Sequence, residues 1–270
     1  MRSRIWNVCV AALAGSLFLA ACGVANTGAS PNTAPAAQVE ATSTQVILPE
    51  PPPMPTSEPR EPTPTPPAAP VAPSLSGATV LVSEAFDGKT TLDTWQVLDT
   101  AEPLEGPSIW EVSNGRLLQV SAFNGSPLQA PSAIVTGDTT WKNYSVNAAA
   151  YNSGNDQFGL VARASSAGFY LFSLRPVGAQ PALLIERYDA ANGSFTLLAS
   201  ADQGGFELKR WYQLRLQVQG DTLTAFVDGT PVLSAKDTTL TQGQAGVAGF
   251  AMGNLEFDNF SVEALTPAAQ

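Results

Sequence analysis

The sequence predicts an all-β chain: an antiparallel β-sandwich preceded by a disordered, proline-rich linker. Three observations predict it. Apolar and polar residues alternate with a period of two in many short runs. Turn signals built on Gly, Asn and Asp separate those runs at close, regular spacing. No stretch carries a helical period bounded by caps.

The clearest run is 211–218, where Tyr212, Leu214, Leu216 and Val218 are apolar and Gln213, Arg215 and Gln217 are polar. That is a strand with one buried and one wet face. Gly220-Asp221 turns the chain, residues 222–227 alternate again, and Asp228-Gly229 marks a tight hairpin into Pro231-Val232-Leu233. Upstream, 144–150 places Tyr144, Val146, Ala148 and Ala150 on one face. Runs 158–164 and 169–175 flank Ser165-Ser166-Ala167-Gly168, and 183–188 and 195–199 flank Ala191-Asn192-Gly193. So many short strands suit a jelly roll better than a seven-stranded immunoglobulin sandwich.

The chain before this region is of two other kinds. Residues 1–21 read as a signal peptide: Arg2 and Arg4 precede an apolar run over 8–19 that is too short for a permanent membrane span. The run ends in Leu19-Ala20-Ala21-Cys22-Gly23, which resembles the bacterial lipobox. The resemblance implies a lipid on Cys22 and an extracytoplasmic protein anchored to the cell membrane or outer membrane. Cys9 would leave with the signal peptide, so the mature chain would form no internal disulfide. Residues 22–76 are rich in Pro, Ala, Thr and Ser and cannot bury enough apolar surface to offset their ordering entropy. At roughly 3 Å per residue such a stalk reaches on the order of 100 Å when extended. The third region, 77–266, is the sandwich domain, long enough for one sizeable core.

A family resemblance lies in the order of short motifs within that domain. Glu84-Ala85-Phe86-Asp87-Gly88 and Trp95 come first, then Trp110-Glu111-Val112-Ser113-Asn114-Gly115-Arg116-Leu117 and Tyr144-Ser145-Val146. Gly159-Leu160-Val161-Ala162-Arg163, Tyr170-Leu171-Phe172 and Trp211-Tyr212-Gln213-Leu214 follow. Val227-Asp228-Gly229, Gly243-Gln244-Ala245-Gly246-Val247 and Phe257-Asp258-Asn259-Phe260-Ser261-Val262 close the series. The series resembles the concanavalin A-like, laminin-G-like jelly rolls, in the branch with the 3-keto-disaccharide hydrolases and related sugar-binding modules. That fold hosts lectins, glycanases and adhesion modules alike, so function must be argued from a site.

Composition excludes several chemistries. The chain has no histidine, which removes a Ser-His-Asp triad, a Cys-His dyad and histidine-based zinc sites. Its formal net charge of -10 argues against nucleic acid as a partner. Glucanases of this fold often carry Glu-x-Asp-x-x-Glu on one strand; here Glu256-Phe257-Asp258 ends in Ser261, so the motif is incomplete.

What remains is a surface module that binds carbohydrate or a cell-surface polymer without catalysis. Hydrolysis of the 3-keto-disaccharide type and a structural or adhesive envelope role are the alternatives. A sugar site needs aromatic faces and planar hydrogen-bonding groups. The alternation points Asn147, Tyr151 and Arg163 outward, and the resemblance places Arg163 on a concave sheet; Tyr170, Arg187 and Gln213 would share that surface. Trp95, Trp110, Trp141 and Trp211 read as packing residues. Glu84, Asp87 and Asp258 suit a Ca²⁺ site if the first and last strands are neighbours. The alternation slips between Phe257 and Phe260, which predicts a bulge at Asp258-Asn259.

Overall fold

The computed structural model describes residues 67–75, 77–87, 90–101, 107–120, 131–250 and 255–265. The signal peptide, Cys22 and most of the stalk lie outside the described residues.

Fifteen strands run through the described residues. They are β1 (Thr79–Glu84), β2 (Gln96–Asp99), β3 (Trp110–Ser113), β4 (Arg116–Gln119), β5 (Ser132–Thr136), β6 (Tyr144–Asn152), β7 (Phe158–Ser165) and β8 (Gly168–Leu174). After them come β9 (Leu183–Asp189), β10 (Ser194–Ala201), β11 (Trp211–Gln219), β12 (Thr222–Val227), β13 (Thr230–Lys236), β14 (Gln244–Gly249) and β15 (Leu255–Ala264). The first sheet has the order β13-β12-β11-β6-β15-β4-β3, with β1 also on β15; the second has the order β10-β9-β8-β7-β14-β5-β2. The ladders are antiparallel, and together the two sheets form the expected sandwich.

Local chemistry sets the turns. Asp228 and Gly229 both have positive φ, at 50° and 78°, which is the geometry a two-residue hairpin loop between β12 and β13 demands. Asn114 and Gly115 do the same between β3 and β4. The expected bulge is present: the β15–β6 register shifts between Asp258 and Ser261, and Asn259 has φ 50°. It lets β15 bend, so its first part pairs with β4 and the part beyond the bulge pairs with β1.

One core fills the space between the sheets, built from Tyr144, Val146, Ala148 and Ala150 of β6, Leu214 and Leu216 of β11, and Leu160 and Phe172 of the second sheet. Burial of each such large side chain contributes about 1.5–3 kcal/mol. A smaller cluster of Ala133, Val135, Val161, Phe169 and Leu171 lies on the other face of the second sheet. Strands β7 and β8 are therefore buried on both faces, as their nearly continuous apolar sequences require. Strand β11, with its alternating sequence, has one buried face and one partly exposed face.

Residues 67–75, placed by sequence in the stalk, lie against the outer face of the first sheet. The Trp211 indole donates to the carbonyl of Pro67 at 2.8 Å, and Arg215 donates to that of Pro73 at 2.7 Å.

Candidate functional site

Strand β6 starts at one pole of the sandwich and β7 returns to it. At this pole Arg163 departs from the strand pattern. The β7–β8 register shifts after Ala162, and Arg163 has φ 52°, a strained conformation for a non-glycine residue. The bulge turns its side chain into the protein instead of outward. Nε and Nη2 donate to the Lys142 carbonyl at 3.2 and 2.8 Å, Nη1 to that of Leu240 at 2.9 Å, and Nη2 also to that of Gly220 at 2.8 Å. The Arg163 amide donates to the Tyr144 hydroxyl at 2.6 Å.

Arg163 is 2 % exposed, so the expectation that it meets a ligand on an open face is corrected. It ties together three connections: β5–β6, β11–β12 and β13–β14. Desolvation lowers its pKa, while charge interactions with Tyr144 and Tyr170 oppose that shift. Burial also pushes the Tyr144 hydroxyl well above its ordinary value, against the Arg163 amide and charge.

The connection from β13 to β14 is fixed by further bonds. The Tyr170 hydroxyl donates to Asp237 Oδ1 at 2.6 Å and accepts the Leu240 amide at 3.0 Å. Arg187 is ion-paired with Asp237 and donates to Thr239 Oγ1 at 2.9 Å. Burial above all, with the Asp237 carboxylate, pushes Tyr170 up to about 12. Burial by itself would raise Asp237, but hydrogen bonds from Tyr170 and Thr239 and the charge of Arg187 hold it below the usual carboxylate range.

These bonds shape a cleft of about 600 Å³ between the β7–β8 turn, the β13–β14 connection and the edge strand β2. Gln96, Thr139, Ser166, Thr241, Gln242 and Gln244 line it, with Leu98, Ala167 and Leu240 as its apolar patches. Among the described residues that line it, none carries a formal charge. Across Ser166, Ala167, Thr239 and Leu240 it adjoins a second recess of about 310 Å³ that holds Arg187, Tyr188 and Asp189. Amide and hydroxyl groups both donate and accept, which matches sugar hydroxyls, and the larger volume lies in the range of small-molecule sites.

The six residues expected to share one ligand surface do not. Arg187 alone among them lines the paired recesses. Tyr170 is buried between the sheets. Asn147, Tyr151 and Gln213 do face outward on the first sheet, but Asn147 is 1 % exposed and its amide oxygen accepts from Arg215 Nε at 2.7 Å. The Tyr151 ring packs 5.3 Å from that of Trp211.

The expected Ca²⁺ ligands are not gathered either. Glu84 accepts from Thr90 at 2.9 Å, Asp87 is exposed, and Asp258 accepts the Asn259 amide at 2.6 Å. Among the described residues no group of three or more acidic, His or Cys side chains is placed to hold a metal ion. Sequence reasoning missed the cleft residues Gln96, Gln242 and Gln244. The signal for Gln242 and Gln244 is the charge-free run Thr238-Thr239-Leu240-Thr241-Gln242-Gly243-Gln244 leading into β14.

Residues 127–265 match the family model described as galactocerebrosidase, C-terminal lectin domain. The chain belongs to this lectin-domain family. The match spans most of the sandwich, including the β7–β8 turn and the β13–β14 connection that wall the cleft. A Bacillus subtilis protein of unknown function with a galectin-like fold has 13% identity and a TM-score of 0.51, over 69% of this chain and 97% of its own. The carbohydrate-binding module CBM66 from Bacillus subtilis has 15% identity and a TM-score of 0.49, over 63% of this chain and 96% of its own. No curated protein matches the chain.

Proposed function

We propose that this protein is a lipid-anchored, extracytoplasmic lectin that binds an uncharged glycan in the cleft beside the β7–β8 turn, without catalysis. The observation that carries the proposal is the lining of the cleft. Its planar amides and hydroxyls surround the aliphatic patches of Leu98, Ala167 and Leu240, with no charged group among the described residues of the larger recess, and the adjoining recess supplies an aromatic ring, Tyr188. Sugars offer hydroxyls to the former and C–H faces to the latter. Membership of a lectin-domain family supports the same reading, and the lipobox-like Leu19-Ala20-Ala21-Cys22 supports the anchor.

The hydrolase branch of the resemblance would need free carboxylates. Here Glu256 is ion-paired with Arg116, and Asp258 accepts the Asn259 amide, which favours the non-catalytic reading. Desolvation raises Asp258, while the Asn259 bond and the Arg116 charge oppose that shift.

A glycan array probed with the Cys22→Ser protein tests the binding claim, with a Gln96→Ala, Gln244→Ala double variant as the control. Binding to neutral glycans that the double variant loses at unchanged melting temperature is expected. Binding that survives in the double variant, or that is confined to acidic glycans, overturns the assignment. Incorporation of radiolabelled palmitate that depends on Cys22 tests the anchor.

A further inference from the structure

We infer that the outer face of the first sheet is a receptor for proline-rich peptides with proline at every third position, filled in cis by residues 67–75. The contacts carry the inference. The Trp211 indole donates to the carbonyl of Pro67 at 2.8 Å, Asn259 Nδ2 to those of Pro70 at 3.2 Å and Ala69 at 3.4 Å, and Arg215 Nη2 to that of Pro73 at 2.7 Å. The proline acceptors Pro67, Pro70 and Pro73 are spaced by three residues, which is the repeat of a polyproline II helix. Such a ligand has no proline N–H to offer, so its receptor must supply the donors, and here it does.

The donors are held in place before any peptide is considered. Trp211 is flanked by the Tyr151 ring at 5.3 Å and by the Arg116 guanidinium 5.1 Å above its own ring. Arg215 Nε is fixed by Asn147 at 2.7 Å, and the left-handed conformation of Asn259 in the β15 bulge aims its amide outward. At its far end the segment is closed by the Leu75 amide, which donates to Glu263 at 3.3 Å.

The register also fixes where the chain enters the domain. Trp211 pairs with Tyr151 at the far end of β6, whereas the cleft lies at the β6 end that carries Tyr144. Seven strand steps, about 23 Å, separate those ends. Pro67 thus lies at the pole opposite the cleft.

The test uses the full chain with Pro67→Gly, Pro70→Gly and Pro73→Gly; glycine keeps the three carbonyls but gives up the polyproline II preference that holds them in register, and so vacates the receptor. A fluorescently labelled peptide of residues 64–75 is titrated against it by anisotropy, beside a peptide of equal composition with its prolines out of register. The vacated chain binds the in-register peptide at least tenfold more tightly than does the unaltered chain. Adding Trp211→Phe, which keeps an aromatic ring and removes the hydrogen-bond donor, weakens binding by roughly fivefold to tenfold. Equal binding of both peptides, or binding of neither by a folded vacated chain, overturns the inference. If the vacated chain does not melt cooperatively, elastase cleavage after Val71 in the unaltered chain decides instead. Trp211→Phe accelerates that cleavage at least fivefold if the receptor holds the segment, and an unchanged rate overturns it.

Discussion

The guanidinium of Arg163 donates to the carbonyl of Leu240 at 2.9 Å, and through that bond a strained residue of β7 holds one wall of the cleft. Arg163→Met leaves the carbonyls of Lys142, Gly220 and Leu240 without this donor. The expected loss of stability is about 2–4 kcal/mol, read by urea unfolding. Arg163→Lys does not restore it, because an ammonium cannot span three carbonyls as the planar fork does. A stable Arg163→Met protein with weakened glycan binding would instead make this arginine a ligand contact.

Asp237 gives the structure an acid limit. Its pKa lies below the ordinary value, which is about 3.9 in the unfolded chain. Its contribution to stability is therefore complete above about pH 4 and is lost as pH falls through the lower folded value. Asp237→Asn should melt at a lower temperature than the unaltered protein at pH 6, and the gap should close as pH falls toward 2.5. Thermal melts across that range check it.

Glu186 behaves in the opposite sense. It lies between Leu171 and Leu197 in the sheet register, and burial raises its pKa against the attraction of Arg175. A raised carboxyl costs stability as pH climbs from the unfolded value of about 4.3 through the folded one. Glu186→Gln removes that cost, so the variant should melt higher at pH 7 and show a flatter pH dependence above pH 4.5. Melting curves at pH 4.5 and 7 make the comparison.

Gly243 admits no side chain. It has φ 150°, and a Cβ there would lie 2.4 Å from both the Arg163 carbonyl carbon and the Ala164 oxygen. Those are backbone atoms of the bulge, so the β13–β14 connection would have to move. Gly243→Ala is expected to cost about 1–3 kcal/mol in stability. It should also weaken glycan binding, because the displaced connection carries Thr241 and Gln242. Calorimetric melting and glycan titration of the same sample check both.

The strands were legible where alternation and turn chemistry agree. The run around Leu214 and Leu216, the Asp228-Gly229 turn and the slip between Phe257 and Phe260 each fix local geometry from local sequence. The site was less legible, because the bulge at Arg163 reverses the face that strand alternation assigns to it. Nothing in Gly159-Leu160-Val161-Ala162-Arg163 marks that reversal; it depends on carbonyls contributed by Lys142, Gly220 and Leu240, far away in sequence. Glu84 and Asp258 did fall on neighbouring strands, but neighbouring strands do not by themselves turn carboxylates toward one point. The cleft is built from three separate connections, so no single run of sequence contains it.

The most direct measurement is an NMR titration of side-chain amides with a neutral glycan selected on the array. The resonances of Gln96, Gln242 and Gln244 should shift with a common affinity, while those of Asn147 and Gln213 on the first sheet stay in place. Shifts confined to Asn147 and Gln213, with the cleft amides unmoved, would contradict the assignment of the cleft as the glycan site.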